Sequence, residues 1–205
     1  MENTNGYKKE KRLYEIIKRL FDFVVALIGL IVLALPMLVI GILVKRDSEG
    51  PALLKQERVG RYGKEFILYK FRTMYVTAPP DLATSRLNQM DNPERFITPL
   101  GKKLRKTSLD ELPQLLNILK GDMSLVGYRP VCTTELKLNK LRKEYGVFAH
   151  RPGMTGLAQV RGRDDIYYKD KALIDAEYER TRSFKVDIQC LLDTIPAVAK
   201  GKGVK

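Results

Sequence analysis

The longest hydrophobic stretch of the chain covers residues 23–44, which carry no charge. Asp22 precedes the stretch and Lys45 follows it. As an α-helix, these 22 residues would extend to about 33 Å, enough to cross the hydrocarbon core of a bilayer. A helix in the core of a soluble protein usually keeps a polar face, and this stretch has none. The pattern therefore predicts a membrane-embedded helix.

Two paths through the membrane fit this helix. Pro36 divides the stretch into two pieces that are each too short to cross a bilayer, and a proline inside a helix favours a kink. Six lysines and arginines lie between residues 8 and 19, and six lie between residues 45 and 64, so positive charge does not favour opposite sides for the two flanks. Because helices with prolines also span membranes, a re-entrant hairpin and a spanning helix both stay open. Residues 7–20 predict an amphipathic, basic lead-in on anionic headgroups.

The rest of the chain predicts short strands followed by helices. Residues 51–56 and 66–71 have the composition of two strands joined by a basic turn at residues 58–64. Residues 77–99 are polar and broken by prolines, which indicates a loop. Leucines at 112, 115, 116 and 119 have helical spacing, and Gly121 is a stop signal. Further helices are predicted at residues 134–145, 169–182 and 188–195, the last either on the core or on the membrane. The predicted fold class is α+β, predominantly helical with a small β-hairpin.

Charge and composition narrow the possible partners. The chain has 37 lysines and arginines against 24 acidic residues, a net charge of +13, which favours nucleic acid, anionic lipid or phosphorylated small molecules. Cys132 and Cys190 form neither a disulfide framework nor a zinc pattern, so a reducing compartment is expected. His150 is the only histidine, and we expect it to be structural. The chemistry is then left to carboxylates and arginines.

The segment Ser108-Leu109-Asp110-Glu111-Leu112-Pro113 carries the candidate chemistry. Either Ser108 and Glu111 form a capping box, or Asp110 is the N-cap and Pro113 lies in the first turn, which we prefer. Asp110 would then lie at a helix N-terminus, where anions and phosphate are favoured and its pKa should fall. A carboxylate there can attack phosphorus if Mg²⁺ and arginines neutralise the phosphate. Ordinary capping is the alternative. A P-loop and a GxGxxG motif are absent.

Six separate stretches match the pattern of one known family. They are Gln56-Glu57-Arg58-Val59-Gly60, Tyr69-Lys70-Phe71-Arg72-Thr73-Met74, Lys106-Thr107-Ser108-Leu109-Asp110-Glu111-Leu112-Pro113-Gln114, Lys120-Gly121-Asp122-Met123-Ser124-Leu125-Val126-Gly127, Arg151-Pro152-Gly153-Met154-Thr155-Gly156-Leu157 and Gln159-Val160-Arg161-Gly162-Arg163. Together these stretches resemble the bacterial sugar transferases, small monotopic phosphoglycosyl transferases that act on polyprenyl phosphate.

The resemblance implies a topology and a reaction. Residues 1–46 would form the lead-in and a re-entrant helix broken near Pro36, and residues 47–205 a cytosolic catalytic domain on the cytoplasmic face of the bacterial inner membrane. The enzyme would move a sugar-1-phosphate from a UDP-sugar to polyprenyl phosphate and release UMP, initiating the assembly of a glycan. The chain would be a minimal catalytic form of the family.

The resemblance also assigns residues. Asp110 would be the nucleophile that carries a covalent phospho-sugar, and Glu111 would support a Mg²⁺ site together with Asp110. Arg105 and Arg129 match positions that hold phosphate. Weaker candidates for the same task are Lys70 and Arg72.

Two departures from the family pattern stand out. Leu35 replaces a serine that often precedes the helix-breaking proline, which removes a hydroxyl that could satisfy freed carbonyls. Tyr128 replaces the first proline of a frequent Pro-Arg-Pro sequence and changes the loop that carries Arg129. The rival interpretations are a non-catalytic, membrane-tethered basic module that binds nucleic acid or acidic lipid, and a plain bitopic membrane protein. Aromatic residues are not interleaved with the basic ones as a nucleic-acid platform requires, so no nucleic-acid partner is expected.

Overall fold

The computed structural model describes residues 4–78, 93–162 and 166–199. Helix predominates, with a small antiparallel hairpin and a second two-stranded sheet, so the α+β class is confirmed at this level. The helices are α1 (Thr4–Asp47), α2 (Pro99–Thr107), α3 (Gln114–Lys120), α4 (Leu136–Glu144), α5 (Leu157–Arg161), α6 (Tyr168–Thr181) and α7 (Phe184–Ala199). The strands are β1 (Leu53–Val59), β2 (Glu65–Phe71), β3 (Ser124–Val126) and β4 (Gly153–Thr155).

Helix α1 joins the predicted lead-in and the hydrophobic stretch into one element of 44 residues. It continues through Pro36 without an interruption, because a proline removes only one hydrogen bond and the ladder resumes on both sides of it. The predicted break at Pro36 is therefore not a break in secondary structure. The segment Arg12–Asp47 is long and apolar enough to cross a membrane by length and composition. Its course relative to a bilayer stays a prediction.

Both ends of the hydrophobic part of α1 are fastened to the same body. Near its start, Arg19 donates to the carbonyls of Ile118 and Leu119 at 2.6 and 2.9 Å. The carboxylate of Asp22 accepts a hydrogen bond from the backbone N–H of Leu125 at 3.1 Å. At the other end, Arg72 lies against the last turn of α1. The helix thus lies along the domain instead of projecting from it.

One face of α1 packs on the domain and the other is apolar and exposed. Ala26 and Val44 are buried in two separate hydrophobic clusters. In contrast, Ile31, Val32 and Leu35 are each more than two-thirds exposed. An apolar surface of this extent on a helix indicates contact with lipid or another protein.

The predicted β-hairpin is confirmed. Strands β1 and β2 pair antiparallel, from Leu53 opposite Phe71 to Val59 opposite Glu65. The turn is closed by a 2.8 Å hydrogen bond from the N–H of Gly60 to the carbonyl of Lys64. Tyr62 lies at its tip with φ of 60°.

The second sheet is parallel and had no counterpart among the sequence predictions. Ser124 of β3 is opposite Gly153 of β4. A Cβ at Gly153 would overlap the backbone nitrogen of Gly127, so only glycine allows the two chains to approach this closely. The carboxyl end of β3 leads directly into the loop that carries Arg129.

The main core forms where α3 crosses α1. Leu115 and Ile118 of α3 pack with Ala26 of α1, and Met123 and Val126 continue the cluster below them. Gly29 faces Leu115, so a Cβ there would lie 3.2 Å from a Leu115 methyl group. This packing fixes α3, and with it the segment that precedes α3.

The other predicted elements are shifted by a few residues. The helices predicted at residues 112–121, 134–145 and 169–182 correspond to α3, α4 and α6. The last one, α7, is longer than predicted, and its buried Cys190 packs into the core. Most of the predicted loop at 77–99 lies outside the described residues, and its end forms the short 3₁₀ turn Pro93–Phe96.

Candidate active site

Asp110 lies in a short 3₁₀ turn, Leu109–Glu111, between α2 and α3. Helix α2 ends at Thr107. The next residue, Ser108, adopts a left-handed conformation with φ of 57°, and its side chain makes no capping hydrogen bond to the described residues. The N-cap position of α3 is occupied by Pro113. Both predicted capping registers are therefore wrong, because the chain inserts a separate turn where a single helix start was expected.

The Asp110 side chain is buried, with only 7% of its surface exposed. Burial raises its pKa to about 6, the adjacent Glu111 raises it as well, and the charges of Lys70, Arg105 and Arg129 oppose the rise. The predicted fall of this pKa is wrong, because desolvation of the carboxylate outweighs the attraction of the surrounding cations. Even so, three predicted phosphate-binding residues lie near enough to influence Asp110.

Glu111 and Arg129 form a two-armed ion pair. The guanidinium of Arg129 donates to the two carboxylate oxygens of Glu111 at 2.6 and 3.3 Å. About a third of the Arg129 side chain stays exposed, against 16% for Glu111. The structure thus brings Arg129 to the Asp110 turn as predicted, through a contact with Glu111.

Lys70 and Arg105 reach the turn from two other elements. Lys70 lies on β2, and burial lowers its pKa to about 8, with the charge of Arg58 acting in the same direction and that of Asp110 opposing it. Arg105 lies in the last turn of α2. A Cβ at Gly101 of this helix would overlap the carbonyl of Thr73, so α2 packs tightly on the chain that follows β2.

Arg72 has a structural position. It is buried and donates to the carbonyls of Pro51 and Ser48 at 2.7 and 2.8 Å, to that of Val44 at 3.3 Å, and to the hydroxyl of Ser48. These contacts join the end of α1 to the hairpin. Arg72 thus connects α1 to the hairpin, and its assignment to phosphate binding stays a prediction.

Arg58 is a cation of the site that the sequence analysis did not single out. Its guanidinium donates to the side chain of Gln56 at 2.6 Å and to the carbonyl of Pro130 at 3.3 Å. The buried Nε has no hydrogen-bond partner in the described part of the chain. The charge of Arg58 acts on both Lys70 and Arg129. Its only signal in the sequence was its place in one of the matching stretches.

Arg142 stabilises the loop that carries Arg129. It is fully buried and donates to one carboxylate oxygen of Asp175 at 2.9 and 2.6 Å. A third N–H donates to the backbone carbonyl of Arg129 at 2.9 Å. Its guanidinium also lies 5.1 Å from the centre of the Tyr128 ring. Arg142 thus holds the backbone that presents Arg129.

His150 is structural, as expected. Its Nδ1 contacts the carboxylate of Glu179, and its Nε2 lies 3.4 Å from Glu15 of α1. Cys132 and Cys190 are both free and buried. Cys190 lies in the main core, whereas Cys132 pairs through its backbone with Arg58.

Asp110 and Glu111 could supply two carboxylate ligands to a magnesium ion. No group of three or more acidic, histidine or cysteine side chains that could hold a metal occurs within the described residues. Magnesium commonly uses one or two carboxylates and completes its shell with phosphate oxygens and water. Asp110 and Glu111 match that pattern, with Arg129 already sharing Glu111.

The site carries more positive than negative charge. Within the described residues, four cations lie around the Asp110 turn, against three carboxylates, those of Asp110, Glu111 and Glu135, the last of which acts on Arg58. A partly buried excess of positive charge is costly until an anion enters. The arrangement is therefore suited to a phosphorylated ligand placed against a carboxylate. These cations are Arg58, Lys70, Arg105 and Arg129.

Comparison with known proteins decides the family. Residues 13–201 match the family described as "Bacterial sugar transferase". The chain belongs to the bacterial sugar transferase family. The resemblance carried by the six sequence stretches is thus confirmed over almost the whole chain.

Individual family members are similar at about 40% identity. An undecaprenyl-phosphate galactose phosphotransferase of Salmonella typhimurium is 41% identical over 179 residues. A UDP-glucose:undecaprenyl-phosphate glucose-1-phosphate transferase of Caulobacter vibrioides is 40% identical over 172 residues. The exopolysaccharide production protein ExoY of Sinorhizobium fredii is 38% identical over 178 residues.

The family members differ in length. The matches cover 82%, 80% and 82% of this chain and 37%, 62% and 78% of the three relatives. The chain thus spans well under half the length of the Salmonella protein. The part shared with this longer member contains the Asp110 site.

Proposed function

We propose that this chain transfers a sugar-1-phosphate from a UDP-sugar to polyprenyl phosphate, such as undecaprenyl phosphate, and releases UMP. The observation that carries the proposal is the buried Asp110 carboxylate among Lys70, Arg105 and Arg129. A nucleophile for phosphorus needs this setting, because an unneutralised phosphate repels a carboxylate. The names of the relatives, which include undecaprenyl-phosphate sugar transferases, support the same reaction.

The first step forms a covalent intermediate. A carboxylate oxygen of Asp110 attacks the phosphorus that bears the sugar. The bond from that phosphorus to the bridging oxygen breaks, and the electron pair leaves on UMP. The product on the enzyme is a mixed anhydride between Asp110 and the sugar phosphate. No proton is transferred in this step, so the cations rather than an acid stabilise the leaving group.

The second step regenerates the enzyme. A phosphate oxygen of polyprenyl phosphate attacks the same phosphorus, and the Asp110 carboxylate leaves. The product is a polyprenyl diphosphate sugar. Lys70, Arg105 and Arg129 hold the phosphoryl oxygens in both steps, while Arg58 adds charge from behind the loop.

A magnesium ion is part of the proposal. Asp110 and Glu111 would hold it, and it would neutralise phosphate oxygens as a Lewis acid. Arg129 orients Glu111 for this task through its two hydrogen bonds. Omission of Mg²⁺ is therefore expected to abolish UMP release.

We further propose that the chain lies on the cytoplasmic face of the bacterial inner membrane. Both ends of the apolar part of α1 are tied to one domain, by Arg19 and Asp22 at the start and by Arg72 at the end. A helix that crossed the bilayer with its ends on opposite sides would pull the domain into the hydrocarbon. The basic flanks on both sides favour the cytoplasm.

Two measurements with the full chain test the reaction. Incubation with a UDP-sugar and Mg²⁺, without polyprenyl phosphate, is expected to add one sugar phosphate to Asp110, detected by intact-protein mass and peptide mapping. Asp110→Asn should abolish both the adduct and UMP release, whereas Asp170→Asn, an exposed carboxylate of α6, should retain both. Turnover by a folded Asp110→Asn protein would overturn the mechanism. A non-catalytic basic module predicts no UMP from any of the variants.

A further inference from the structure

Three arginines from distant parts of the chain meet at the end of α3 that is remote from Asp110. Arg19 of α1 donates to the carbonyls of Ile118 and Leu119. Arg151, just before β4, donates through Nε to the carbonyl of Gly121 at 2.7 Å. A Cβ at Gly121 would lie 3.3 Å from a terminal nitrogen of Arg19, so the two guanidinium groups flank the same residue.

Arg61 completes the cluster from the tip of the hairpin. It donates through Nε to the carbonyl of Ala149 at 3.1 Å, two residues before Arg151. Its guanidinium lies 4.6 Å from the centre of the Tyr62 ring. Tyr62 is 65% exposed, so the tip presents an aromatic ring and a cation side by side.

The charge of this cluster is only partly offset by a carboxylate, that of Asp22, which acts on Arg151. Within the described part of the chain, none of the three guanidinium groups pairs with a carboxylate. Arginines elsewhere do so, for example Arg142 with Asp175 and Arg161 with Glu177. Burial lowers the pKa of Arg151, and the charges of Arg61 and Arg19 lower it further. The carbonyl end of a short helix offers only a fraction of a negative charge in return.

The N–H groups of the cluster that do not donate to protein carbonyls are suited to bind an anion. Among the described residues, Arg61 and Arg151 each donate to a protein carbonyl through Nε only. Their terminal nitrogens can then donate to ligand oxygens. Guanidinium groups bind phosphate oxygens in pairs, with charge-assisted hydrogen bonds. A cleft beside the cluster is lined by Lys18, Arg19, His150 and Arg151, but also by the carboxylates Glu15 and Asp22. An anion would therefore approach from the hairpin tip, where Tyr62 beside Arg61 is exposed.

The position along α1 indicates where such a phosphate would come from. Arg19 lies four residues before the uncharged stretch that begins at Phe23, and its guanidinium lies 6.0 Å from the centre of the Phe23 ring. Basic and aromatic side chains at the start of an apolar segment belong at the depth of lipid headgroups. The Asp110 turn precedes α3, whereas this cluster follows it.

We propose that Arg19, Arg61 and Arg151 form a second phosphate-binding site, separate from the Asp110 site, which takes the phosphate of a membrane lipid. The ligand is either the headgroup of an anionic phospholipid or the end of a polyprenyl phosphate, since both present the same oxygens. A phospholipid ligand would make the site independent of the proposed transfer reaction, whereas a polyprenyl phosphate ligand rests on that reaction and would place its acceptor here.

The full chain in neutral detergent provides the test, with lipid retention measured by native mass spectrometry. The probes are short-chain phosphatidylglycerol, short-chain phosphatidylcholine, a short polyprenyl phosphate and inorganic phosphate. Arg61→Gln is expected to weaken binding of phosphatidylglycerol about tenfold or more, and Arg151→Gln by a similar factor, because each variant removes a charge-assisted hydrogen bond to the phosphate. Lys64→Gln, an exposed lysine on the same turn, is the matched control and should bind like the unaltered chain.

Each outcome decides the proposal. Selective loss of phosphatidylglycerol assigns the site to phospholipid, and selective loss of the polyprenyl phosphate assigns it to that lipid. Unchanged binding of both lipids in Arg61→Gln overturns the site, and so does equal retention of inorganic phosphate and lipid. Because Arg61 is on the surface, its variant stays informative if Arg151→Gln fails to fold.

Discussion

Arg129 and Glu111 contact each other through both arms, with the guanidinium donating to the two carboxylate oxygens at 2.6 and 3.3 Å. The pair lies beside Asp110 and partly faces solvent on the Arg129 side. A planar fork can hold a carboxylate and a phosphate at the same time, which a single ammonium group cannot. The pair therefore connects the proposed metal-binding and phosphate-binding functions of the site.

Arg129→Lys is the sharpest test of this connection. Lysine keeps the charge and loses the fork, so kcat/KM for UMP release should fall by about 100-fold, the usual effect of removing one aligned donor from a transition state. Lys137→Arg on α4, an exposed cation, should leave kcat/KM unchanged. Full activity of Arg129→Lys would show that only its charge matters.

The pH dependence of the reaction follows from two shifted groups. Asp110 must be ionised to attack, and its raised pKa of about 6 predicts that kcat/KM rises as the pH rises through that value. Lys70 must be protonated to hold phosphate, and its lowered pKa of about 8 predicts that kcat/KM falls as the pH rises through that value. The expected profile is bell-shaped.

Two changes should move the limbs of this profile separately. Lys70→Arg should remove the alkaline limb, because arginine stays charged. Raising Mg²⁺ should shift the acidic limb to lower pH, because a bound cation favours the ionised carboxylate. An alkaline limb that persists in an active Lys70→Arg protein would exclude Lys70 as its origin.

Breaking the buried Arg142–Asp175 ion pair should strongly lower the free energy of unfolding. Arg142→Met leaves Asp175 without its partner, and the free energy of unfolding should drop by about 3–5 kcal/mol in urea denaturation. Removing both charges with Arg142→Met and Asp175→Leu should restore most of that loss. Activity should stay low in the double variant, since the carbonyl of Arg129 loses its donor.

A surface pair supplies the comparison. Arg161 and Glu177 are about two-fifths exposed, so Arg161→Met should change the free energy of unfolding by less than about 1 kcal/mol. An equal loss in both variants would mean that burial does not distinguish the two pairs.

The topology of α1 can be tested with single cysteines at its two flanks. Arg12→Cys and Arg46→Cys are exposed positions, and the native thiols are buried and should react slowly. A membrane-impermeant maleimide is expected to label neither variant in intact spheroplasts and both after lysis. Labelling of Arg12→Cys alone from outside would instead support a helix that spans the bilayer.

Local patterns predicted the elements whose stability is local. Alternation and a basic turn were enough for the β1–β2 hairpin, and leucine spacing with a glycine stop was enough for α3. Strands β3 and β4 were not predicted, because a strand of three residues is too short to show an alternating pattern. Their pairing also depends on the close approach of Gly127 and Gly153. Helix α2 was not predicted, because its sequence is short and rich in basic residues.

The electrostatics of the site depend on tertiary packing and could not be predicted in the same way. Asp110 looked like a carboxylate favoured by a helix start, yet its burial reverses the direction of its pKa shift. The sequence does not distinguish the roles of three arginines. In the structure, Arg72 connects the end of α1 to the hairpin, Arg58 adds positive charge to the site, and Arg142 is buried and pairs with Asp175. Charge patterns alone do not separate these roles, because each depends on which carbonyls and carboxylates come near.

Because α1 is fastened to the domain at both ends, no flexible linker within the described residues separates it from the Asp110 site. Arg19 and Asp22 on one side and Arg72 on the other join them into a single rigid piece. A bilayer that holds α1 therefore also fixes the height of Asp110 above the lipid. The site would then select substrates by the distance of their phosphate from the hydrocarbon. A thicker or thinner bilayer would change the reaction rate without any change to a catalytic group.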